Sequence, residues 1–153
     1  LIFSIFLNQK IFSSENKFLI GKARVIDGDT IILKNKKIRL HGIDAPELNQ
    51  ICYDYVSTKY NCGIESKKKL IFFIKKNNVK CFYSDKDFYG RLLGTCFVNK
   101  KNINSLMVIN GYAIAYKKYS KKYVDQENFA KINKKGLWKG KFHKPEEWRR
   151  KNK

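Results

Sequence analysis

The chain is poor in several things, and each shortage excludes something. No run of apolar residues approaches the roughly 20 that a membrane-spanning helix needs; the longest candidate, "LIFSIFL" at 1–7, stops far short. No two of the four cysteines form a CxxC pair, and His41 and His143 are not spaced with them as zinc ligands, so a zinc site is not expected. Acids are scarce: 13 against 33 basic residues, a net charge of +20. Such a field draws polyanions, either nucleic acid or an anionic surface. Arginine is scarce too. Five of the 33 basic residues are Arg and the remaining 28 are Lys, so a position that is Arg has a reason to be.

What remains is the composition of one folded domain. A chain of 153 residues buries roughly 68–70% of its unfolded surface, enough for a core of its own. The apolar stretch at 1–7, followed by the small and polar "NQKIFSSEN", reads as the apolar and cleavage regions of a secretory signal. We therefore divide the chain into a signal-like or disordered segment, 1–17, and a single domain, 18–153. An even cysteine count behind such a segment favours two disulfides in an oxidising compartment. Three pairings are open. Cys52–Cys62 would close a short polar loop, and Cys81–Cys96 would join two strands of a hairpin; each bond would contribute about 3 kcal/mol.

Alternating apolar residues over "FLIGKARVIDGDTIILKNKKIRLHGID" predict three consecutive strands, with turns at Asp27-Gly28 and Asn35-Lys36. A loop is expected from Ala45 to Asn61. Helical spacing follows over 62–78, then two strands flanking "DKDFYG", and two further helices closed near Gly111 and Gly136. "LWKGKFHKPEEWRR" reads as an aromatic tail whose Trp138 and Trp148 pack on the body of the protein. The fold expected is α+β: a five-stranded OB-fold β-barrel with about three helices, one inserted between strands 3 and 4.

Two neighbouring strands end in acids, "VIDGDT" and "IRLHGIDAPE". Antiparallel pairing would bring Asp29 beside the Asp44–Glu47 turn. Carboxylates crowded at one rim raise one another's pKa, a conflict that a bound cation relieves. Oxygen donors without Cys or His suit Ca²⁺ or Mg²⁺. Arg39 on the same strand adds a planar fork matched to phosphate oxygens. A metal, a spare carboxylate and an Arg together describe phosphodiester chemistry. Asp27 is expected to serve the turn.

"VIDGDT", "IRLHGIDAPE" and "DFYGRLLG", in this order and spacing, resemble the thermonuclease (staphylococcal-nuclease-like) family, from about Phe18 to Arg150. "QICYDYVSTKYNCG" and "KKGLWKGKFHKPEEWRR" resemble the cysteine loop and the ending of its secreted bacterial members. The resemblance implies that Asp29 and Asp44 bind Ca²⁺ (Mg²⁺ is possible) through carboxylates and Ala45 through its carbonyl. It implies that Glu47 activates or orients the attacking water, and that Arg39 and Arg91 grip the scissile phosphate. Single- and double-stranded DNA and RNA would be hydrolysed to 3′-phosphate ends by a secreted or periplasmic monomer. Tyr116 and Tyr119 are candidates for touching the bound nucleotide. Two other classes remain: a non-catalytic OB-fold nucleic-acid-binding module, and a cationic envelope protein that binds an anionic surface polymer. Neither needs Asp29, Asp44 and Glu47.

Overall fold

A computed structural model describes residues 17–153. The signal-like reading of 1–16 lies outside the described residues; Lys17 already belongs to the first strand. Strands β1 (Lys17–Gly21), β2 (Ala23–Val25), β3 (Thr30–Leu33), β4 (Lys36–Leu40) and β5 (Ile43–Asp44) come first. The hairpin β6 (Ile51–Tyr53) and β7 (Lys59–Asn61) leads into helix α1 (Cys62–Ile74). Then follow β8 (Val79–Lys86), β9 (Leu92–Val98), β10 (Lys101–Asn102), α2 (Ile103–Ile109), β11 (Ile114–Ala115), α3 (Val124–Ile132) and α4 (Pro145–Lys151).

The main sheet runs β1-β8-β9-β4-β3-β2, with β10 added to β9. Its two ends, β1 and β2, are halves of one stretch of chain interrupted only at Lys22, so the sheet curls back towards itself. This is how a barrel disposes of its edges. All pairings are antiparallel except β4 with β9, the parallel pair that the long excursion through α1 and β8 permits. Counting β1 and β2 as one strand gives the five-stranded OB-fold barrel expected, with α1 inserted after the third strand.

Alternation makes the core. Leu92, Gly94, Cys96 and Val98 of β9 face inwards, meeting Ile31, Leu33, Ile38 and Leu40 from the front strands and Leu70 and Ile74 from α1. Both disulfides form: Cys81 and Cys96 are register partners on β8 and β9, and Cys52 joins Cys62 at the foot of α1. Asn61 caps α1 through its side chain (2.9 Å to the Ile64 amide) and Asn102 caps α2 in the same way (3.0 Å to Ser105).

Four expectations are corrected. The β3–β4 turn is Lys34-Asn35, both at positive φ, one residue earlier than predicted; the pairing Leu33↔Lys36 fixes a two-residue loop. The loop 45–61 contains the β6–β7 hairpin, held by the Cys52–Cys62 bond. The third helix ends at Ile132 and not at Gly136, whose positive φ instead opens a 3₁₀ turn over Gly136–Lys139. A fourth α-helix joins the about three expected, because Pro145 starts α4 within the aromatic tail. As expected, Trp138 packs, edge to face on Phe142 in a small cluster with Leu137 and the Cys52–Cys62 bond.

Candidate active site

The site is assembled at one mouth of the barrel by close backbone approaches. Asp27 bonds the Asp29 amide (3.0 Å), the turn role expected of it. A Cβ on Gly28 would lie 2.7 Å from the Ala45 Cβ and 2.8 Å from that of Ser66, so only glycine lets this turn press on the Ala45 loop. The Asp29 carboxylate then accepts from the Ala45 amide at 2.6 Å. Asp44 lies on β5 opposite Ile114 of β11 and is fully buried. Glu47 follows in a loop seated on α1: a Cβ on Gly63 would fall 1.7 Å from the Glu47 carbonyl oxygen. Gln50 closes this loop. Its side chain accepts from the Glu47 amide (3.2 Å) and donates to the His143 carbonyl (2.8 Å), tying Glu47 to the C-terminal segment.

Arg39 joins the two aspartates. Its Nη1 is 2.8 Å from Asp29 Oδ2 and its Nη2 is 3.1 Å from Asp44 Oδ1. A planar fork can do this where a Lys ammonium serves one point. Burial, aided by the charges of Asp27 and Asp44, pushes Asp29 from its ordinary 3.8 up to about 7 against the pull of Arg39. Burial likewise raises Asp44, although Arg149 and Arg39 oppose it. Burial is thus the main cause, and the neighbouring carboxylates add to it.

Arg149 was not anticipated. From α4 it places Nη1 2.9 Å from Asp44 Oδ1 and 2.8 Å from Glu47 Oε1, with Nη2 3.1 Å from Asp44 Oδ2. A sequence separation of 105 residues hides this contact; the available signal was an arginine in a chain that otherwise writes Lys. The rim is thus not three converging acids. Guanidiniums thread Asp29 to Asp44 to Glu47, because each charge finds a partner that way. Among the described residues no three His, Cys, Asp or Glu side chains form a group able to hold a metal. Asp29 and Asp44 are carboxylate oxygen donors, the donor type a hard cation takes. Ala45 contributes its amide to the acids; that is the contact the structure gives it.

Arg91 stands apart from this network. Asp87 holds it, accepting from its Nε (2.6 Å) and its amide (2.9 Å) at the tip of the β8–β9 hairpin. Burial would raise Asp87, but these bonds from Arg91 outweigh it and hold the carboxyl below its ordinary value. The terminal nitrogens of Arg91 take no part in that grip. Beside it Phe88 and Tyr89 are almost wholly exposed. Tyr116 and Tyr119 pack edge to face at 4.8 Å. Burial, then the nearby Asp44 and Glu146, raises Tyr116, which places this pair within the field of the acid rim. A groove of about 480 Å³ between Tyr60, Glu65, Tyr112 and Lys139 contains none of these residues. A smaller cleft of about 290 Å³ runs along Glu47, Asn49, Trp148 and Arg149.

Residues 37–140 match the family described as Staphylococcal nuclease homologue. The chain is 36% identical over 124 residues to the succinoglycan biosynthesis protein ExoI of Rhizobium meliloti, covering 79% of this chain and 65% of that one. It is 34% identical over 148 residues to an uncharacterized endonuclease of Haemophilus influenzae (92% and 78% covered). It is 31% identical over 148 residues to a micrococcal nuclease of Shigella flexneri (85% and 79%). It spans less than two thirds of several relatives' own length, the Rhizobium protein among them and only 30% and 31% of two rice nuclease-like proteins. With the OB-fold barrel, the acidic strand ends and these matches together, the chain belongs to the staphylococcal nuclease homologue family.

Proposed function

We propose that this protein is a nuclease that hydrolyses the phosphodiester bonds of DNA and RNA, uses Ca²⁺ and leaves 3′-phosphate ends. The observation that carries the reading is the Arg39 clamp on Asp29 and Asp44. It costs a buried guanidinium and two buried carboxylates in a barrel that could close without them. Asp29 and Asp44 would hold the cation, with Ala45 beside them. When bound, the cation would polarise the phosphate and offset the rim's negative charge.

The chain's own residues do the rest. Glu47, partly exposed at the cleft, receives a proton from the attacking water and aims its oxygen at phosphorus. The bond from phosphorus to the 5′ oxygen breaks, and that oxygen takes a proton from solvent, giving a 5′-hydroxyl and a 3′-phosphate. Arg39, and Arg91 through its terminal nitrogens, meet the equatorial oxygens as they spread. Tyr116 and Tyr119 flank the nucleotide. The +20 charge gathers substrate along the strand. Two disulfides suit a secreted or periplasmic enzyme, and among the described residues no helix is long and apolar enough to cross a membrane. We propose that it acts as a monomer.

The test is cleavage of single-stranded DNA by the purified protein, with Ca²⁺ or with a chelator. Cleavage should require the ion, and Glu47→Gln should lose about 10²–10⁴-fold in rate while still binding DNA. DNA binding without cleavage under any metal would favour the non-catalytic module. Cleavage untouched by Glu47→Gln would remove that residue from the chemistry.

A further inference from the structure

Two arginines hold the acid rim, and they are built differently. Arg39 belongs to the barrel wall and its side chain is 11% exposed. Arg149 arrives from α4, a seven-residue helix, and its side chain is 33% exposed. Together they leave no oxygen of Asp44 free. Oδ1 accepts from Arg39 and Arg149, and Oδ2 accepts from Arg149. Burial would lower the Arg149 pKa, but its bonds to Asp44 and Glu47 outweigh this and raise it.

The rest of α4 is lightly held. Pro145 is its one buried residue. The Lys118–Glu146 pair is an exposed 3.3 Å contact, of a kind that adds little. The Gln50–His143 bond lies just before the helix. The helix's attachment to the rim is therefore concentrated in one guanidinium.

A divalent cation on Asp44 would have to share its oxygens with the Arg149 guanidinium, and two positive charges at that range repel. The charge count gives the same answer. With all three acids ionised, Asp29, Asp44 and Glu47 against Arg39 and Arg149 leave −1. Adding a divalent ion makes +1, and releasing Arg149 restores 0. On the reading that Asp44 is a cation ligand, we propose that Arg149 is a tethered competitor for the metal seat. Binding of the ion then frees α4 from the rim. Until the ion arrives the helix stays pinned to the rim as one wall of the cleft along Glu47, and the apparent metal affinity carries the cost of releasing it.

The experiment is calorimetric titration of Ca²⁺ into the chain without nucleic acid. It compares wild type, Arg149→Ala and Arg150→Ala. Arg149→Ala should bind about tenfold more tightly, the factor for a competitor in place nine times in ten. Arg150 is exposed on the same helix and makes none of the rim contacts. Its removal takes away the same charge and should change affinity less than about threefold, as a screened surface charge does. In a Trp138→Phe background, Ca²⁺ should increase acrylamide quenching of Trp148 as α4 leaves. Unchanged or weaker binding by Arg149→Ala overturns the competition, as does Trp148 quenching that saturating Ca²⁺ leaves unmoved. Equal gains in both arginine variants reduce Arg149 to a distant charge and overturn it as well. Binding in wild type that Arg149→Ala fails to tighten defeats the competitor alone. Absence of Ca²⁺ binding in all three chains defeats the metal reading, and the competitor with it.

Discussion

Two buried carboxylates in this molecule have opposite fates. Glu127 on α3 is 3% exposed, and Asp29 at the barrel mouth is 6% exposed. Glu127 has two lysines to itself, Lys117 at 2.6 Å and Lys131 at 3.1 Å, and it accepts from the Ala115 amide at 3.2 Å. Burial would raise its pKa, but the lysine bonds outweigh this and lower it. Asp29 shares one arginine with Asp44, has Asp27 close by, and is driven up to about 7. Glu127 is a completed structural device. It fastens β11, the strand that pairs with Asp44, to α3. Asp29 has only a share of one guanidinium, and a buried acid pushed up this far is a candidate for a ligand site.

The sharpest way to test that contrast is to blunt the fork that the two aspartates share. Arg39→Lys keeps the charge but reaches one carboxylate at a time. It should lower kcat on the order of 10²-fold, as loss of a preorganised donor does. Arg91→Lys should lose a similar factor. Its melting temperature should be unchanged, because Asp87 can still cap its own turn through the Tyr89 and Arg91 amides. Steady-state cleavage of single-stranded DNA, with thermal melts beside it, decides. Near-normal turnover in both Lys variants would mean that charge alone suffices.

The acids at the ends of β3 and β5 were legible because register and alternation are local rules, and Asp29 and Asp44 each follow a recognisable apolar strand. The barrel was legible for the same reason, down to the helix between the third and fourth strands. Arg149 and Gln50 were not. Both act through tertiary approach, across separations of 105 and 93 residues, and no periodicity carries that information. α4 was hidden because no glycine closes it as Gly111 closes α2, a helix also of seven residues. The β6–β7 hairpin was hidden because the Cys52–Cys62 bond organises it more than any alternation does. Glu127 lies on a helix whose polar residues look like any solvated face, and only the lysines around it reveal that it is buried.

Breaking the balanced acid should cost stability, and only where it is charged. The folded pKa of Glu127 lies below its ordinary 4.5. Its contribution is therefore complete above that value and lost as pH falls through the lowered one. Glu127→Gln keeps an acceptor for the Ala115 amide but gives up the charged bonds to two lysines. Urea unfolding at pH 7 should show a loss of about 2 kcal/mol. The loss should shrink below pH 4. A variant equally destabilised at both pH values would mean that the effect is packing and not charge.

Asp29→Asn should do the reverse, with a smaller effect. The folded pKa is raised from 3.8 to about 7, so the native state binds a proton that the unfolded chain releases. Wild-type stability from this group is intact below about pH 3.8 and is eroded as pH rises to about 7. Asparagine never ionises, so it avoids that erosion while still offering an oxygen to the Ala45 amide. The shift sets a ceiling of about 4 kcal/mol. Losing one arm of the Arg39 clamp takes back part of it, leaving an expected gain of about 1–2 kcal/mol at pH 8. Near pH 4 the two proteins should unfold at almost the same urea concentration. The comparison belongs in a chelator, since a cation that binds the folded state through Asp29 adds stability that the variant loses. With Ca²⁺ present the advantage of Asn should shrink or change sign. A variant less stable than wild type at pH 8 in chelator would mean that Arg39 satisfies Asp29 as fully as the two lysines satisfy Glu127, and the contrast between the two acids would disappear.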